Sequence, residues 1–375
     1  MSNPFHIRGY HGPETFCDRE VETEKIINAI TNQRDITMTS LRKMGKTGLI
    51  EHALAALKKK KPSYEVFHID IYHTENLAGF LDKLGSEIIN KEPTFTNKLR
   101  KLLRQFIISI SPTISYDTLT GQPNLSFNFN SAARKEQTLS DIFNFLAEFS
   151  KSKRVVVAID EFQQIAKYPE TNTEALLRGI IQKLNNVSFI FAGSDTTMMT
   201  TIFSDVKRPF YQSTQMMHLD SIPDEKYIPF IKKHLKAGGK TIQKEQIEYI
   251  LEEARRHTFY VQFFCNRLYS SSYTEIGFGQ LQNVYAAILA ENESFYISYR
   301  DLVSSQQWRL LLALAKENGY DQITSGDFIR KYELTNSSTV RRAAESLVNK
   351  QLIYRKNGVY HIYDPFFRKW LSLQY

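Results

Sequence analysis

A basic turn early in the chain contains the residue types that bind a phosphate chain. It runs from Ser40 to Thr47 and matches the pattern GxxxxGK[ST], except that serine occupies the first glycine position. In this pattern backbone N–H groups and a helix N-terminus surround the phosphates, the lysine contacts the β- and γ-phosphates, and the hydroxyl ligates Mg²⁺. Because serine has a Cβ atom, the φ and ψ of Ser40 must be ones that any residue can adopt. The predicted nucleotide-binding residues of this turn are Ser40, Leu41, Arg42, Lys43, Met44, Gly45, Lys46, Thr47 and Gly48.

A second group of candidate residues follows the most apolar run of the sequence. Residues 155–159 predict a buried strand, and Asp160 and Glu161 come directly after it. Since ligands bind at the carboxyl ends of strands in open α/β sheets, Asp160 would hold Mg²⁺ through water and Glu161 would polarise the attacking water. Such a run could also be a strand that meets solvent, but its combination with the Gly-Lys-Thr turn favours a catalytic pair. The predicted metal ligands are Thr47 and Asp160.

Ser194 comes after the next apolar run along the chain. In that position its hydroxyl could sense the γ-phosphate, or it could cap the turn formed by residues 193–195. We predict three catalytic residues, Lys46, Glu161 and Ser194.

The periodicity of apolar residues predicts an α/β fold for the first part of the chain. Short apolar runs at 36–39, 66–71, 155–159, 188–192 and 215–219 predict strands, and the amphipathic segments between them predict helices. Strands that alternate with helices indicate a parallel sheet with helices on both faces. Residues 107–134 read as an insertion, in which 125–129 alternates like a half-exposed strand.

The rest of the chain predicts two smaller domains. From 224 to about 290 the pattern is purely helical, which we interpret as a helical lid over residues 223–297. Three helices at 306–317, 326–332 and 336–350 then precede a hairpin with the turn Asn357-Gly358. This is the layout of a winged helix-turn-helix. The predicted domains are therefore a P-loop core at 1–222, the lid at 223–297 and the winged helix at 298–375.

Composition sets the broad class of the protein. Hydrophobic residues make up 42% and charged residues 23% of its 375 residues, as is usual for globular proteins. Cys17 and Cys265 lie far apart and in no Cys/His cluster, which predicts a reduced cytoplasmic protein without structural zinc. No apolar run approaches the roughly 20 residues that cross a bilayer, so no membrane association is expected. The net charge of +8 permits a polyanionic partner without requiring one.

Five motifs together resemble those of the archaeal-type ATPase family, close to the STAND branch of AAA+ proteins. They are similar to the family's FxGRxxE signature, its P-loop, its IDEFQ, its lid motif GHPxYVQ and its closing DPxFRxWL. They lie at residues 16–22, 41–47, 159–163, 256–262 and 363–371. The resemblance implies a core sheet of order 5-1-4-3-2, a helical lid, a winged helix, and ATP or ADP with Mg²⁺ as ligands. It also implies that the N-terminal signature, which includes Arg19, lies near adenine.

Some positions depart from the family pattern. Asp18 replaces a glycine of the N-terminal signature, and Ser40 replaces the first glycine of the P-loop. Thr258 takes the place of a lid proline that touches the nucleotide in the family. Arg208 is the nearest counterpart of the family's arginine after the sensor strand, and the alternative reading is an exposed loop charge.

Three functions remain open from the sequence. The first is an ATPase switch, in which bound ATP draws the lid and winged helix against the core and slow hydrolysis releases them. The second is an ATP-controlled DNA-binding protein, and the third is a scaffold that retains nucleotide with little hydrolysis. A protein partner or self-association is open as well, and the intact Lys-Thr and Asp-Glu pairs favour the first function. The residues that would contact DNA are Arg341, Arg342, Lys350, Arg355 and Lys356.

Overall fold

The computed structural model describes residues 2–119, 121–129 and 131–375. It divides into two compact units, of which the first is Gly9–Ser221 and the second joins residues 2–8 to Ile222–Tyr375. The predicted division into 1–222, 223–297 and 298–375 remains a prediction, and its first residue lies outside the described part of the chain.

The first unit alternates helices and strands, as the apolar pattern predicts. Its helices are α1 (Glu20–Thr31), α2 (Lys46–Lys60), α3 (Leu77–Asn90), α4 (Asn97–Ile110), α5 (Ala132–Ser150), α6 (Thr173–Ile181) and α7 (Thr196–Ser204). Its strands are β1 (Ile36–Thr39), β2 (Tyr64–Asp70), β3 (Thr113–Tyr116), β4 (Pro123–Ser126), β5 (Arg154–Asp160), β6 (Val187–Gly193) and β7 (Gln215–His218). A 3-10 helix, Phe162–Lys167, follows β5 almost directly.

Five of these strands form the central sheet, in the order β2-β5-β6-β1-β7, with all neighbours parallel. These labels differ from the predicted order 5-1-4-3-2 because β3 and β4 lie outside the sheet. Counted among the five sheet strands alone, the order reads 5-1-4-3-2, and the predicted α/β fold class is confirmed. The register pairs Asp70 with Asp160 and Thr39 with Gly193, so the carboxyl ends of these strands reach one edge of the sheet.

The two faces of β5 explain why its sequence is apolar without interruption. Side chains alternate across a strand, so Val155, Val157 and Ile159 belong to the core cluster on one face of the sheet. Val156 and Ala158 belong to the cluster on the opposite face, together with residues of α1 and α2. Each valine that is fully buried in this way stabilises the fold by about 1.5 kcal/mol or more.

The insertion predicted at 107–134 contains the end of α4 and the antiparallel hairpin β3–β4. The strand predicted at 125–129 is wrong in its bounds, because β4 spans Pro123–Ser126. The pair Thr113–Ser126 is the last of the ladder with β3. The N–H of Phe127 instead donates to the carboxylate of Asp82 on α3, at 2.9 Å. Residues 120 and 130 of the insertion lie outside the described part of the chain.

The second unit begins with four helices, α8 (Asp224–Ala237), α9 (Lys244–Glu253), α10 (Thr258–Ser270) and α11 (Phe278–Ser298). The expectation of a purely helical segment is wrong, because β8 (Thr241–Ile242) and β9 (Glu275–Ile276) form a short parallel pair. Lys240 holds the two connections together, since its buried ammonium donates to the carbonyls of Ser271 and Tyr273, both at 2.7 Å. Two residues per strand are too few to give a period-2 pattern in the sequence.

The C-terminal part of this unit has the predicted winged-helix layout. Helices α12 (Ser305–Glu317), α13 (Gly326–Lys331) and α14 (Ser337–Asn349) precede strands β10 (Ile353–Lys356) and β11 (Val359–Ile362) and helix α15 (Pro365–Gln374). Asn357 and Gly358 have φ of 51° and 87°, which is the backbone of a tight hairpin turn. Asp364 caps α15, because its side chain accepts from the N–H groups of Phe366 and Phe367. Within the described residues, every helix is too short or too polar to cross a membrane.

Candidate functional site

The turn between β1 and α2 presents backbone N–H groups to a single point. Lys43 and Gly45 have φ of 62° and 92°, and this alternation turns successive N–H groups inward. Gly45 precedes α2 and offers no side-chain cap to its first turn. Ser40 lies outside the left-handed region, as its Cβ atom requires, and its hydroxyl donates to the Leu41 carbonyl at 2.8 Å. The turn therefore forms a cradle for an anion despite the missing first glycine.

Lys46 and the two acidic residues after β5 lie together in one buried cluster. The Lys46 ammonium is 3.5 Å from Oδ1 of Asp160 and 3.5 Å from Oε1 of Glu161. The Thr47 hydroxyl donates to the other oxygen of Asp160. Burial opposes ionisation of Asp160, but the Lys46 charge and the Thr47 hydroxyl together hold the pKa of this carboxyl below its usual value. The sheet thus brings the predicted metal ligands and two predicted catalytic residues into contact.

Glu161 is held by residues that follow two different strands. Its own backbone is left-handed, with φ of 58°, which turns the chain sharply after β5. The Ser194 hydroxyl donates to Oε2 of Glu161 at 2.7 Å, and the Gln163 amide donates to the same oxygen at 2.5 Å. Asp195, and not Ser194, caps α7, since its carboxylate accepts from the Met198 N–H. The structure therefore places the Ser194 hydroxyl on the Glu161 carboxylate and leaves the turn-cap role to Asp195.

Gln163 and Gly193 are two site residues that the sequence did not single out. Gln163 is buried, and its Oε1 atom has no hydrogen-bond partner among the described residues. A Cβ atom at Gly193 would lie 2.5 Å from Cγ of Met199 and closer still to Oε1 of Gln163. Glycine at this position lets the Gln163 side chain reach Glu161. The Gln after Ile-Asp-Glu-Phe was visible in the motif, but the contact with Gly193 depends on the pairing of strands.

The remaining residues of the turn face the loop that follows β2 or the N-terminal segment. The Arg42 guanidinium lies over the Tyr72 ring at 5.1 Å, and Met44 is buried. A Cβ atom at Gly48 would lie 3.6 Å from the Phe16 ring, so the N-terminal segment packs on the first turn of α2. The Phe16 ring in turn stacks on His52 of α2, with ring centres 4.3 Å apart.

Arg19 and Arg208 are both bound to groups outside this cluster. Arg19 is buried and donates to Glu22 at 2.7 Å and to the Asp220 carbonyl at 2.6 Å. Arg208 forms an ion pair with Glu174 at 2.5 Å, and burial raises the pKa of Glu174 against the effect of this arginine. The exposed-charge reading of Arg208 is thus incomplete, since half of the pair is a buried carboxylate.

The predicted DNA-contacting residues differ in their surroundings. Arg341, Arg342, Arg355 and Lys356 are exposed, and the Arg355 guanidinium lies over the Tyr360 ring at 5.1 Å. Lys350 follows the last residue of α14, and its ammonium donates to the Leu302 carbonyl. Lys350 is exposed like the other four cations, but its ammonium already bonds within the winged helix, as does the Arg355 guanidinium to the Gly358 carbonyl at 3.0 Å.

Thr258 of the lid motif is the first residue of α10. Just before it, Arg256 donates two hydrogen bonds to the carboxylate of Asp224, both at 2.7 Å. Arg255 donates to the Ile362 carbonyl at 3.1 Å, which ties this motif to the end of the wing within the same unit.

Comparison with known proteins finds a family model and solved structures that this chain resembles. Residues 294–373 match a family model described as "Probable winged helix domain". No curated protein matches the sequence. Among solved structures, the Walker-type ATPase of Pyrococcus abyssi is 17% identical, covers 98% of this chain and 99% of its own, and has a TM-score of 0.66.

This chain has the fold of a Walker-type ATPase. Two further solved structures match this chain over nearly its whole length. The ORC2 protein of Aeropyrum pernix, in ADPNP and ADP complexes, is 14% identical, covers 99% of this chain and 96% of its own, and has a TM-score of 0.59. The ORC1 protein of the same organism, in complex with DNA, is 11% identical, covers 96% of this chain and 94% of its own, and has a TM-score of 0.52. The predicted resemblance to P-loop ATPases with a C-terminal winged helix is confirmed at the level of the fold.

Proposed function

We propose that this protein binds Mg-ATP, hydrolyses it slowly and uses the bound nucleotide as a switch. The observation that carries the proposal is the cluster of Lys46, Thr47, Asp160 and Glu161, which joins the helix N-terminus to the end of β5. Within it the side chains of Lys46 and Asp160 are buried. The likeness to an ORC2 protein that holds ADPNP and ADP supports it through the shared fold.

A triphosphate fits the turn for an electrostatic reason. Without nucleotide, two carboxylates neutralise the Lys46 ammonium. A phosphate chain in the cradle would offer this ammonium a stronger partner, while the N–H groups of the uncapped first turn of α2 would receive the phosphate oxygens. The base side of the nucleotide would then lie toward the N-terminal segment, where Phe16 packs on α2 and where we retain Arg19 as a predicted contact.

The residues beside the cradle also fit Mg²⁺. This ion takes oxygen ligands and is usually held by one or two protein groups together with waters and phosphates. The hydroxyl of Thr47 and the carboxylate of Asp160 are adjacent oxygen donors, and the lowered pKa keeps Asp160 ionised. When bound, the ion would neutralise charge on the phosphate oxygens.

Glu161 is the group placed to activate water. Ser194 and Gln163 fix one of its oxygens, so the other, Oε1, is turned toward Lys46. Release of this oxygen from Lys46, when the lysine contacts phosphate, leaves it to accept a proton from water. Ser194 would report the state of the site, because its hydroxyl can bond either Glu161 or a phosphate oxygen.

Phosphate release by the purified protein tests hydrolysis. We expect Glu161→Gln to bind ATP and to turn it over at least a hundredfold more slowly, since a general base contributes about 10²–10⁴ in rate. Lys46→Ala should lose both binding and turnover, and Glu148→Gln on the exposed side of α5 is the matched control. Turnover of Glu161→Gln at the rate of the parent would remove Glu161 from the mechanism. Tight ADP retention with negligible phosphate release by the parent would favour the scaffold instead.

Small-angle scattering tests the switch. The proposal expects the Glu161→Gln variant to scatter differently with ATP than with ADP, because the nucleotide would change the arrangement of the two units. Identical curves would leave an ATPase without a switch. A cytoplasmic location stays part of the proposal, supported by two buried cysteines that are not joined in a disulfide.

Duplex DNA is the second candidate partner, favoured by the exposed cations of α14 and the wing. A protein of similar fold, ORC1 of Aeropyrum pernix, is described in complex with DNA. We expect binding to weaken steeply with salt, because each cation that neutralises a phosphate releases a counterion. Arg341→Ala should lower the affinity and the salt slope, whereas Lys331→Ala should not, since the Lys331 charge is already paired with Glu317 at the end of α12. Absent or salt-independent binding would exclude this function.

A further inference from the structure

The hairpin β3–β4 lies in a stretch of sequence that is nearly free of charge. Between Gln105 and Arg134, Asp117 is the single charged residue, although 23% of the whole chain is charged. Exposed strands at the edge of a sheet are ordinarily protected from pairing by lysine, by other charges or by inserted proline. The body of this hairpin has no such charge, so the state of its two edges decides what it can bind.

The edge of β4 is covered by the protein itself. The N–H of Leu125 donates to the hydroxyl of Ser86 at 2.8 Å, and the N–H of Phe127 donates to the carboxylate of Asp82 at 2.9 Å. Both acceptors belong to α3. A Cβ atom at Gly85 of α3 would lie 3.0 Å from the Leu125 side chain, so α3 and the hairpin pack closely.

The edge of β3 is open. Leu125 and Ile114 lie opposite one another, and because the N–H of Leu125 points away from β3, this pair is not hydrogen-bonded. The backbone N–H and C=O of Ile114 therefore point away from β4, and those of Tyr116, two residues on, do the same. Among the described residues, nothing accepts from or donates to these four groups.

The side chains around this edge are apolar and exposed. Ile114 is 45% exposed and Tyr116 is 70% exposed, on the same face of the hairpin as buried Leu125. Ile108 at the end of α4 and Leu119 in the hairpin loop are 76% and 95% exposed. A further strand along β3 would satisfy the open backbone groups and would continue the row of apolar side chains that Leu125 begins.

We propose that this strand is β3 of a second copy of the chain, paired antiparallel about a two-fold axis at Ser115. Hydrogen-bonded pairs then form between Ile114 of each copy and Tyr116 of the other, and all four open groups of each strand are used. A register centred on Ile114 would instead place Pro112, which has no N–H, opposite Tyr116. The two-fold register also sets Asp117 opposite Thr113, so the two aspartates do not face each other. The edge is thus complementary to itself, which is the requirement of a two-fold interface.

Site-specific disulfide formation tests this register. Ser115 would meet its own copy in a non-hydrogen-bonded pair, where Cα atoms lie about 4.5 Å apart, within the range of a disulfide. Thr113, on the same strand and the same face, would lie roughly 13 Å from its copy. Under mild oxidation we expect Ser115→Cys to form covalent dimers at least tenfold faster than Thr113→Cys. The native cysteines are buried, so the parent protein serves as the blank.

Light scattering across a concentration series gives the oligomeric state. We expect the parent mass to rise toward that of a dimer and Ile114→Lys to remain a monomer. Because residue 114 is exposed, the melting temperature of this variant should equal that of the parent at concentrations where the parent is also monomeric. A parent that stays monomeric at several hundred micromolar would overturn the proposal, as would equal cross-linking of the two cysteine variants. Recovery of the monomer bound to an unrelated protein through β3 would overturn it too. None of these outcomes depends on nucleotide, so failure here is distinct from failure of the ATPase proposal.

Discussion

Substitution of Gly193 by alanine tests how Glu161 is positioned. The new Cβ atom would lie 2.5 Å from Met199 and closer to Gln163, whereas ordinary contact begins at 3.4 Å. Gln163 must therefore retreat by roughly 1 Å, which stretches its 2.5 Å bond to Glu161 beyond hydrogen-bond range. The substitution changes no group that would contact the nucleotide.

The expected loss follows from the strength of that bond. A hydrogen bond to a charged group contributes about 1.5–3 kcal/mol, and about 1.4 kcal/mol corresponds to a factor of ten in rate. Because Ser194 still holds the same oxygen of Glu161, we expect the lower end of the range. The turnover number should fall about tenfold, with the KM for ATP within about twofold of the parent value.

Steady-state phosphate release at saturating ATP measures this effect, and two comparisons separate it from a packing defect. Gly179→Ala on α6 is the matched control, since no atom lies within 4 Å of a Cβ built there. The melting temperatures of both variants report any general strain from the Met199 contact. In a Gln163→Ala background, adding Gly193→Ala should change the turnover no further, because the two substitutions act on one hydrogen bond.

Two results would refute the reasoning. If Gly193→Ala lowered the turnover equally with and without Gln163, the substitution would be acting through Met199 alone. Alternatively, a turnover equal to that of the parent would mean that Gln163 has no part in orienting Glu161.

Three further predictions concern stability. Lys46→Met should destabilise the nucleotide-free protein by about 3 kcal/mol at pH 7.5 in urea unfolding, because the buried carboxylate of Asp160 loses its counter-charge. Burial opposes ionisation of Asp160 but Lys46 holds its pKa lowered in the parent, so this stabilisation is lost as the pH falls and the deficit should shrink in acid. A deficit independent of pH would contradict this. Burial raises the pKa of Asp35 from 3.8 to about 6, so the folded protein favours the protonated carboxyl. The stabilisation from this group is therefore complete below about pH 4 and is lost as the pH rises through 6. Asp35→Asn keeps the acceptor for the Phe189 N–H and should be about 2 kcal/mol more stable than the parent at pH 7.5, but not at pH 4. Gly358→Ala should lower stability by about 1 kcal/mol in thermal unfolding because its φ is 87°, and no change would argue against the tight turn of the wing.

The parts of the fold that depend on neighbouring residues alone were predictable from the sequence. The uninterrupted apolar run of β5 and the change to a helix at Lys46 follow from side-chain periodicity and turn chemistry, and β1 has the predicted bounds. Prediction failed where contacts with distant parts of the chain determine the bounds or the presence of a strand. The bounds of β4 depend on its pairing with β3 and on a carboxylate of α3, and the pair β8–β9 depends on the buried ammonium of Lys240.

The sequence by itself determined the chemistry of the site: an anion cradle ahead of a helix, a lysine, a hydroxyl, and an acidic pair after a buried strand. Each of these features is contained in one of two short stretches, residues 40–47 and 155–161, so local sterics and hydrogen bonding specify it. The tertiary structure alone decided which groups hold Glu161 and which edge of the hairpin stays open. Those outcomes depend on strand order and on contacts between residues far apart in the chain, and no short stretch of sequence contains that information.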